Sequence, residues 1–279
     1  MKRSLFALGV LALSFTAHQA QAQCPVNPLL ALNGKFAFQV EGVYPYVYGI
    51  SGVFTAGPAF DRAGGAIGVL SITASSILGS TERGPVPVSY TRVESDAGRY
   101  TLNANCTGGT LVMNLSSRPM QYDFWFFDGG RQLYLVSTLG GRPATGRAAV
   151  APNGCPAGLA NPLQLLGGPT TFVAHGIDIF FLTSNANYGI AGVMNGVDAS
   201  GTVGKLAITA TSNLGFDGSV TSQENDAGRY QVNADCSGGS LFFNLSSRPV
   251  QFDFWYADGF QQLYFISTSG PPVLGVASR

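Results

Sequence analysis

Charge is scarce in this chain. Asp, Glu, Lys and Arg together make up 11% of its 279 residues, and the 15 basic and 15 acidic side chains cancel. With 46% hydrophobic residues and 37 glycines, that balance argues against a disordered chain, a coiled coil or a basic nucleic-acid-binding surface. Histidine is scarcer still: of the two, His18 lies in a leader and only His175 remains beyond it. A Ser-His-Asp or Cys-His mechanism duplicated along the chain is thereby excluded. The sequence has no Gly-x-x-x-x-Gly-Lys-Ser/Thr loop, no His-Glu-x-x-His pair and no dinucleotide fingerprint, so no cofactor is expected. Cys-x-x-Cys spacing is also missing, which leaves zinc without its usual ligands, and no metal is expected. Long apolar runs and long helical periodicity are absent too, so nothing after the N-terminus is expected to cross a membrane as a helix.

What the N-terminus does contain is an export signal. Lys2 and Arg3 begin it, Leu5 to Phe15 is apolar, and Ala20-Gln21-Ala22 has the small-x-small pattern of a cleavage site. Residues 1–22 therefore read as a signal peptide, and the expected address is secreted or periplasmic. Lipid attachment at Cys24 would want a small residue before the cysteine, and Gln23 is not small. Without Lys2 and Arg3, 13 basic side chains face 15 acidic ones, a near-neutral surface that does not attract phosphates or anionic lipid.

The chain repeats itself. Asp96-Ala97-Gly98-Arg99-Tyr100 recurs as Asp226-Ala227-Gly228-Arg229-Tyr230, and the offset of 130 then holds for over forty residues. It carries Asn114 to Pro119 onto Asn244 to Pro249, Asp123-Phe124-Trp125 onto Asp253-Phe254-Trp255, and Gln132-Leu133-Tyr134 onto Gln262-Leu263-Tyr264. Upstream the offset drifts, to 140 at Tyr48-Gly49-Ile50 and Tyr188-Gly189-Ile190 and to 136 at Gly65 and Gly201. Loops absorb such length changes and paired strands do not. Two tandem domains are expected, 24–150 and 155–279, joined by a linker at 151–154. The period is too long for a solenoid.

Within the first copy, alternating segments rich in Val, Ile, Thr, Tyr and Phe lie at 35–41, 48–55, 67–75, 87–93, 99–104, 110–115, 121–127, 131–137 and 146–150. Turns such as Asp128-Gly129-Gly130 and Asp258-Gly259 separate them. The expectation is an all-β fold: two antiparallel meander β-barrels of about eight strands each, closed so that no edge is left unpaired. A membrane barrel needs spans of ~9–11 residues, and most of these segments are shorter.

Cys24 and Cys106 are 82 residues apart and Cys155 and Cys236 are 81 apart, so one disulfide per copy is the simplest of three connectivities. The polar constellation that stands out is Asp123, which shares a strand face with Gln121, Trp125 and Phe127, and its counterpart Asp253. A carboxylate among aromatics is costly unless paired, and Arg99 or Arg118, with Arg229 or Arg248, are the expected partners. The functional alternative makes Asp123, Trp125 and Tyr134, with Asp253, Trp255 and Tyr264, a ligand-binding set for a small apolar or carbohydrate ligand. Glycosidase chemistry needs two acids on one cleft, whereas Asp96-Ala97-Gly98 reads as a turn. No catalytic residue is expected.

The blocks Gly98-Arg99-Tyr100-Thr101-Leu102-Asn103-Ala104-Asn105-Cys106-Thr107-Gly108, Tyr122-Asp123-Phe124-Trp125, Asp128-Gly129-Gly130-Arg131-Gln132-Leu133-Tyr134 and Gly146-Arg147-Ala148 resemble a family of secreted bacterial tandem repeat β-barrel domains of unknown function. Its repeats carry GxYxxNADCxG, xFDFxxxDGGxE and a closing GxAxR. The second copy keeps Asn233-Ala234-Asp235-Cys236 and ends Gly275-Val276-Ala277-Ser278-Arg279, while Gln132 and Gln262 stand where the family has an acid. The resemblance implies a calycin-like or allene-oxide-cyclase-like barrel and an extracytoplasmic address, and carries no catalytic residue over. The expected function is therefore non-enzymatic, binding or structural. A small hydrophobic-ligand carrier using the barrel lumen and a cyclase- or isomerase-type barrel enzyme are the alternatives.

Overall fold

The computed structural model describes residues 27–42, 48–60, 66–80, 88–139, 143–176, 189–213, 222–270 and 273–279. The expected signal peptide, residues 1–22, and Cys24 lie outside them. Eight strands form the first barrel: β1 (Gly34–Gly42), β2 (Tyr48–Phe60), β3 (Ala66–Ser80), β4 (Val88–Leu102), β5 (Gly108–Asn114), β6 (Pro119–Phe127), β7 (Gln132–Leu139) and β8 (Ala144–Val150). The second comprises β9 (Gly168–Gly176), β10 (Gly189–Asp198), β11 (Gly204–Asn213), β12 (Ser222–Val232), β13 (Gly238–Asn244), β14 (Pro249–Ala257), β15 (Gln262–Ser269) and β16 (Val273–Ser278). Both are antiparallel meanders. The first closes through the β1–β8 ladder; in the second β16 pairs back onto β9, which lies alongside β10.

Alternation explains where the core sits. Inward positions of the first barrel carry Phe36, Phe38, Phe54, Tyr100, Leu111, Tyr122, Phe124 and Leu135, all buried. Phe54 stacks on Phe36 at 5.3 Å and meets Phe38 at 5.7 Å. In the second barrel Phe243 lies 5.3 Å from Phe172 and 5.2 Å from Phe252, which is 5.1 Å from Phe265. Each such ring contributes about 1.5–3 kcal/mol by leaving water, with a further ~0.5–1.5 kcal/mol for a well-set pair.

Three strands are longer than the sequence suggests. β2 runs for 13 residues and β3 and β4 for 15 each. Asp96-Ala97-Gly98 does not turn; it lies within β4 in unbroken register with β3. Gly98 is there because strands crowd it: a Cβ would stand 2.3 Å from the Val112 carbonyl oxygen. Strand length therefore does not argue against a membrane barrel. The distribution of side chains does, because the rings fill the inside while Thr55, Ser71 and Thr73 face out, the reverse of a membrane barrel.

Each barrel is preceded by a short 3-10 turn, Pro28–Leu32 and Pro162–Leu166. Asn27 and Asn161 cap them, their side-chain oxygens accepting from the amides of Leu29 (3.1 Å) and Leu163 (3.0 Å). Tyr100 and Tyr230 donate their hydroxyls to the carbonyls of Leu29 (2.8 Å) and Leu163 (2.9 Å), anchoring each turn to the barrel wall and sinking Leu32 and Leu166 into the cores.

Cys155 and Cys236 form a disulfide across 81 residues, with Cα atoms 5.0 Å apart. Cys106 is also disulfide-bonded, but the expected Cys24–Cys106 pair falls outside the described residues. Both Cys106 and Cys236 sit at positive φ, 52° and 53°, in matching turns between β4 and β5 and between β12 and β13. By loop closure the bond restricts the unfolded chain by about 4–5 kcal/mol. Cys155→Ser/Cys236→Ser should accordingly lower the denaturant midpoint followed through Trp255; an unchanged midpoint would show that the bond constrains nothing.

Candidate functional site on the outward aromatic faces

The strand period places Asp123, Trp125 and Phe127 on the outside of β6, and register sets Tyr134 and Val136 of β7 opposite Trp125 and Asp123. These side chains make one apolar patch open to solvent: Trp125 is 47% exposed, Phe127 52%, Tyr134 53% and Val136 41%. The Phe127 and Tyr134 rings lie 5.6 Å apart. The expected arginine brace is not what holds Asp123: its carboxylate accepts from the Thr110 hydroxyl at 3.0 Å, straight across the β5–β6 pair.

The same face of the second barrel is covered. Trp255 and Tyr264 are 7% and 2% exposed, and with Ala257, Ile266 and Leu274 they pack on Ala37, Val53, Ile77, Ala149 and Ala151, which face outward from the first barrel. Polar groups complete this contact. The Ser75 hydroxyl donates to Asp253 at 2.6 Å, and the buried Gln39 amide donates to the Phe265 and Gly275 carbonyls at 3.1 and 3.0 Å. The Asp258 amide donates to the Val150 carbonyl at 2.8 Å, and the Arg147 guanidinium lies over the Tyr264 ring at 5.2 Å. At the rim, Arg131 pairs with Asp258 (2.6 Å), Lys35 with Asp235 (3.7 Å) and His175 with Glu41 (2.5 Å). Burial raises the Asp253 carboxyl above its ordinary range, and the Ser75 hydroxyl partly offsets this.

Six residues suggested by sequence thus occupy two environments. Asp123, Trp125 and Tyr134 come together on an open surface, whereas Asp253, Trp255 and Tyr264 come together inside a contact between barrels. None faces a lumen.

A second polar motif recurs in both barrels, with its Glu buried and its Asp partly exposed. Glu94 is fully buried and accepts from the Ser76 hydroxyl (2.7 Å) and the Ser117 amide (3.1 Å), while Asp96 accepts from the amide and hydroxyl of Ser116, both at 2.7 Å. Glu224 accepts from Ser212 and from the Ser246 amide (3.0 Å), and Asp226 from the amide (2.7 Å) and hydroxyl (2.8 Å) of Ser246. Each acid pair clasps the loop that follows β5 or β13, and this accounts for the repeated Ser-Ser at 116–117 and 246–247. Beside Glu94, burial drives the Tyr48 and Tyr122 phenols well above their ordinary range, so they stay protonated. A cleft of about 280 Å³ on the outside of β12–β14 is lined by Arg229, Gln231, Phe242 and Gln251 and brings no acid–base pair together.

No protein-family model matches the chain, and no curated protein does. Among solved structures it is similar to kievitone hydratase from Nectria haematococca, with 10% identity over 95% of this chain and 93% of that one and a TM-score of 0.26. It is also similar to a protein of unknown function from the DUF3598 family of Nostoc punctiforme, with 11% identity over 90% of this chain and 96% of that one and a TM-score of 0.25. Likenesses this distant leave function to the geometry.

The rim makes the barrel contact sensitive to pH. Its hydrogen bond with His175 is the main influence holding Glu41 below 4.5 and, reciprocally, His175 above 6.5; burial opposes both. The raised His175 stabilises fully below about 6.5 and loses its contribution as pH climbs through its raised pKa. The lowered Glu41 contributes above about 4.5 and loses it as pH falls through its depressed pKa. Both groups are half exposed, so solvent screening limits the effect to at most about 1 kcal/mol. The thermal midpoint of His175→Gln should fall furthest below wild type between pH 4.5 and 6.5 and match it in alkaline buffer. A gap that widens with alkalinity would contradict the pairing.

Proposed function

We propose that this is an exported, non-enzymatic tandem-barrel protein whose role is binding or structural, and that the β6–β7 face of the first barrel is its binding surface. One observation carries the reading: the sequence-matched face of the second barrel is already the buried side of a protein contact, while the first barrel's copy, with Trp125, Phe127, Tyr134 and Val136, stands open. Contiguous exposed aromatics rimmed by polar groups mark interaction sites. The leader pattern and the disulfide support a place outside the cytoplasm.

The carrier and enzyme alternatives fare less well. Inward positions are taken by stacked rings, and the recurring carboxylates Glu94, Asp96, Glu224 and Asp226 are committed to serine amides and hydroxyls that hold loops.

A fluorescent apolar probe, 8-anilinonaphthalene-1-sulfonate, separates these readings. Trp125→Ser/Tyr134→Ser should abolish most of its binding and leave the melting temperature near wild type, since both side chains are exposed. Full probe binding by the double variant would instead place the accessible apolar site away from the β6–β7 face and overturn the surface reading.

A further inference from the structure

The contact inside the chain shows what fits an outward Trp–Tyr face: the outside of β1–β3 and β8. The second barrel carries the counterpart of that surface. Val173 on β9 occupies the place of Gln39 on β1, for each is paired with the outward residue of the closing strand, Val276 in one case and Arg147 in the other. Val193 on β10 occupies the place of Val53, and Thr211 on β11 that of Ser75, in matching registers. Thr171 stands where Ala37 does, opposite Ser278 as Ala37 is opposite Ala149. All four are exposed, Val173 by 54% and Val193 by 38%. The chain therefore presents an open Trp–Tyr face on its first barrel and, on its second, an open surface of the kind that covers such a face.

We propose that the occupant of the β6–β7 face is a second copy of this chain, seated through its β9–β11 surface in a head-to-tail contact that repeats the one between the two barrels. This rests on the β6–β7 face being a binding surface and names its partner. Trp125 and Tyr134 pack on Val173 and Val193, and Asp123 takes the Thr211 hydroxyl as Asp253 takes that of Ser75. The rim differs. Arg131 with Asp258 becomes Gln261 with Asp128, and Lys35 with Asp235 becomes Pro169 with Asn105, so neither of these ion pairs is repeated, and the counterparts of Glu41 and His175 are His175 and Glu41, which already hold each other within the chain. The contact between copies is then weaker than the tethered one, whose partner is held at high effective concentration. It depends on protein concentration and little on salt. Because the two surfaces are different, the contact is heterologous and propagates into rings or open chains rather than closing as a two-fold dimer.

Sedimentation velocity over a concentration series tests this with Trp125→Asp, which spoils one surface, and Val173→Asp, which spoils the other, together with the milder Val173→Ser. Folding of each is checked by melting temperature and by Trp255 emission. Wild type should grow with concentration and each Asp variant should stay monomeric. An equimolar mixture of the two should form a one-to-one dimer and nothing larger, since each contributes its intact surface. A wild-type chain that is monomeric throughout overturns the proposal. So does a mixture that stays monomeric while wild type associates, or a Val173→Asp variant that dimerises alone, as pairing of two Trp125 faces would give. If the wild-type chain is monomeric while probe binding still depends on Trp125 and Tyr134, self-docking fails and the binding surface stands.

Discussion

The contact of Trp255 and Tyr264 with the Ala37, Val53 and Ala149 surface is the constraint on which the molecule's arrangement depends. A strand in a small barrel has one face for the lumen and one for water, and the end of β14, from Phe254 to Ala257, is apolar on both. Phe252, Phe254 and Tyr256 satisfy the inside. Trp255 and Ala257 then need cover outside, and small residues on the first barrel supply a flat seat for large rings. Gln39 completes the seat, because its amide reaches two strand carbonyls that the rings would otherwise cut off from water.

The same logic gives Asp123 and Asp253 different lives. Both sit between aromatics on an outward face, and both are held by a hydroxyl rather than by an arginine. Thr110 does this within the first barrel, and Ser75 does it from across the contact. A neutral hydroxyl is enough because neither carboxylate is sealed in a lumen. The recurring internal acids serve the walls in a comparable way, with Glu94 and Glu224 tying serine loops onto β4 and β12.

Much of the fold was legible from residues. Period-two alternation assigned the two faces of β6 and β14 correctly, and the Cys155–Cys236 spacing foretold a bond that is present. Other features were hidden for physical reasons. Asp96-Ala97-Gly98 has turn composition, yet the glycine answers to crowding by Val112 rather than to curvature. Asn27-Pro28-Leu29 and Asn161-Pro162-Leu163 do carry a cap-then-proline signal, but turns this short leave no periodicity to find. Glu94 and Glu224 match at the offset of 130 and escape notice because their partners, loop amides, come from distant sequence. That one trio would be exposed and the other buried depends on how two barrels meet, and no local pattern encodes that.

The two tryptophans permit a direct test of this asymmetry. In dilute solution, acrylamide quenching of Trp255→Phe reports Trp125 alone, and quenching of Trp125→Phe reports Trp255 alone. The structure predicts red-shifted, readily quenched emission from Trp125 and blue-shifted, protected emission from Trp255. Equal quenching of both would mean that the barrels do not meet through β14 and β15, and would contradict the account at its base.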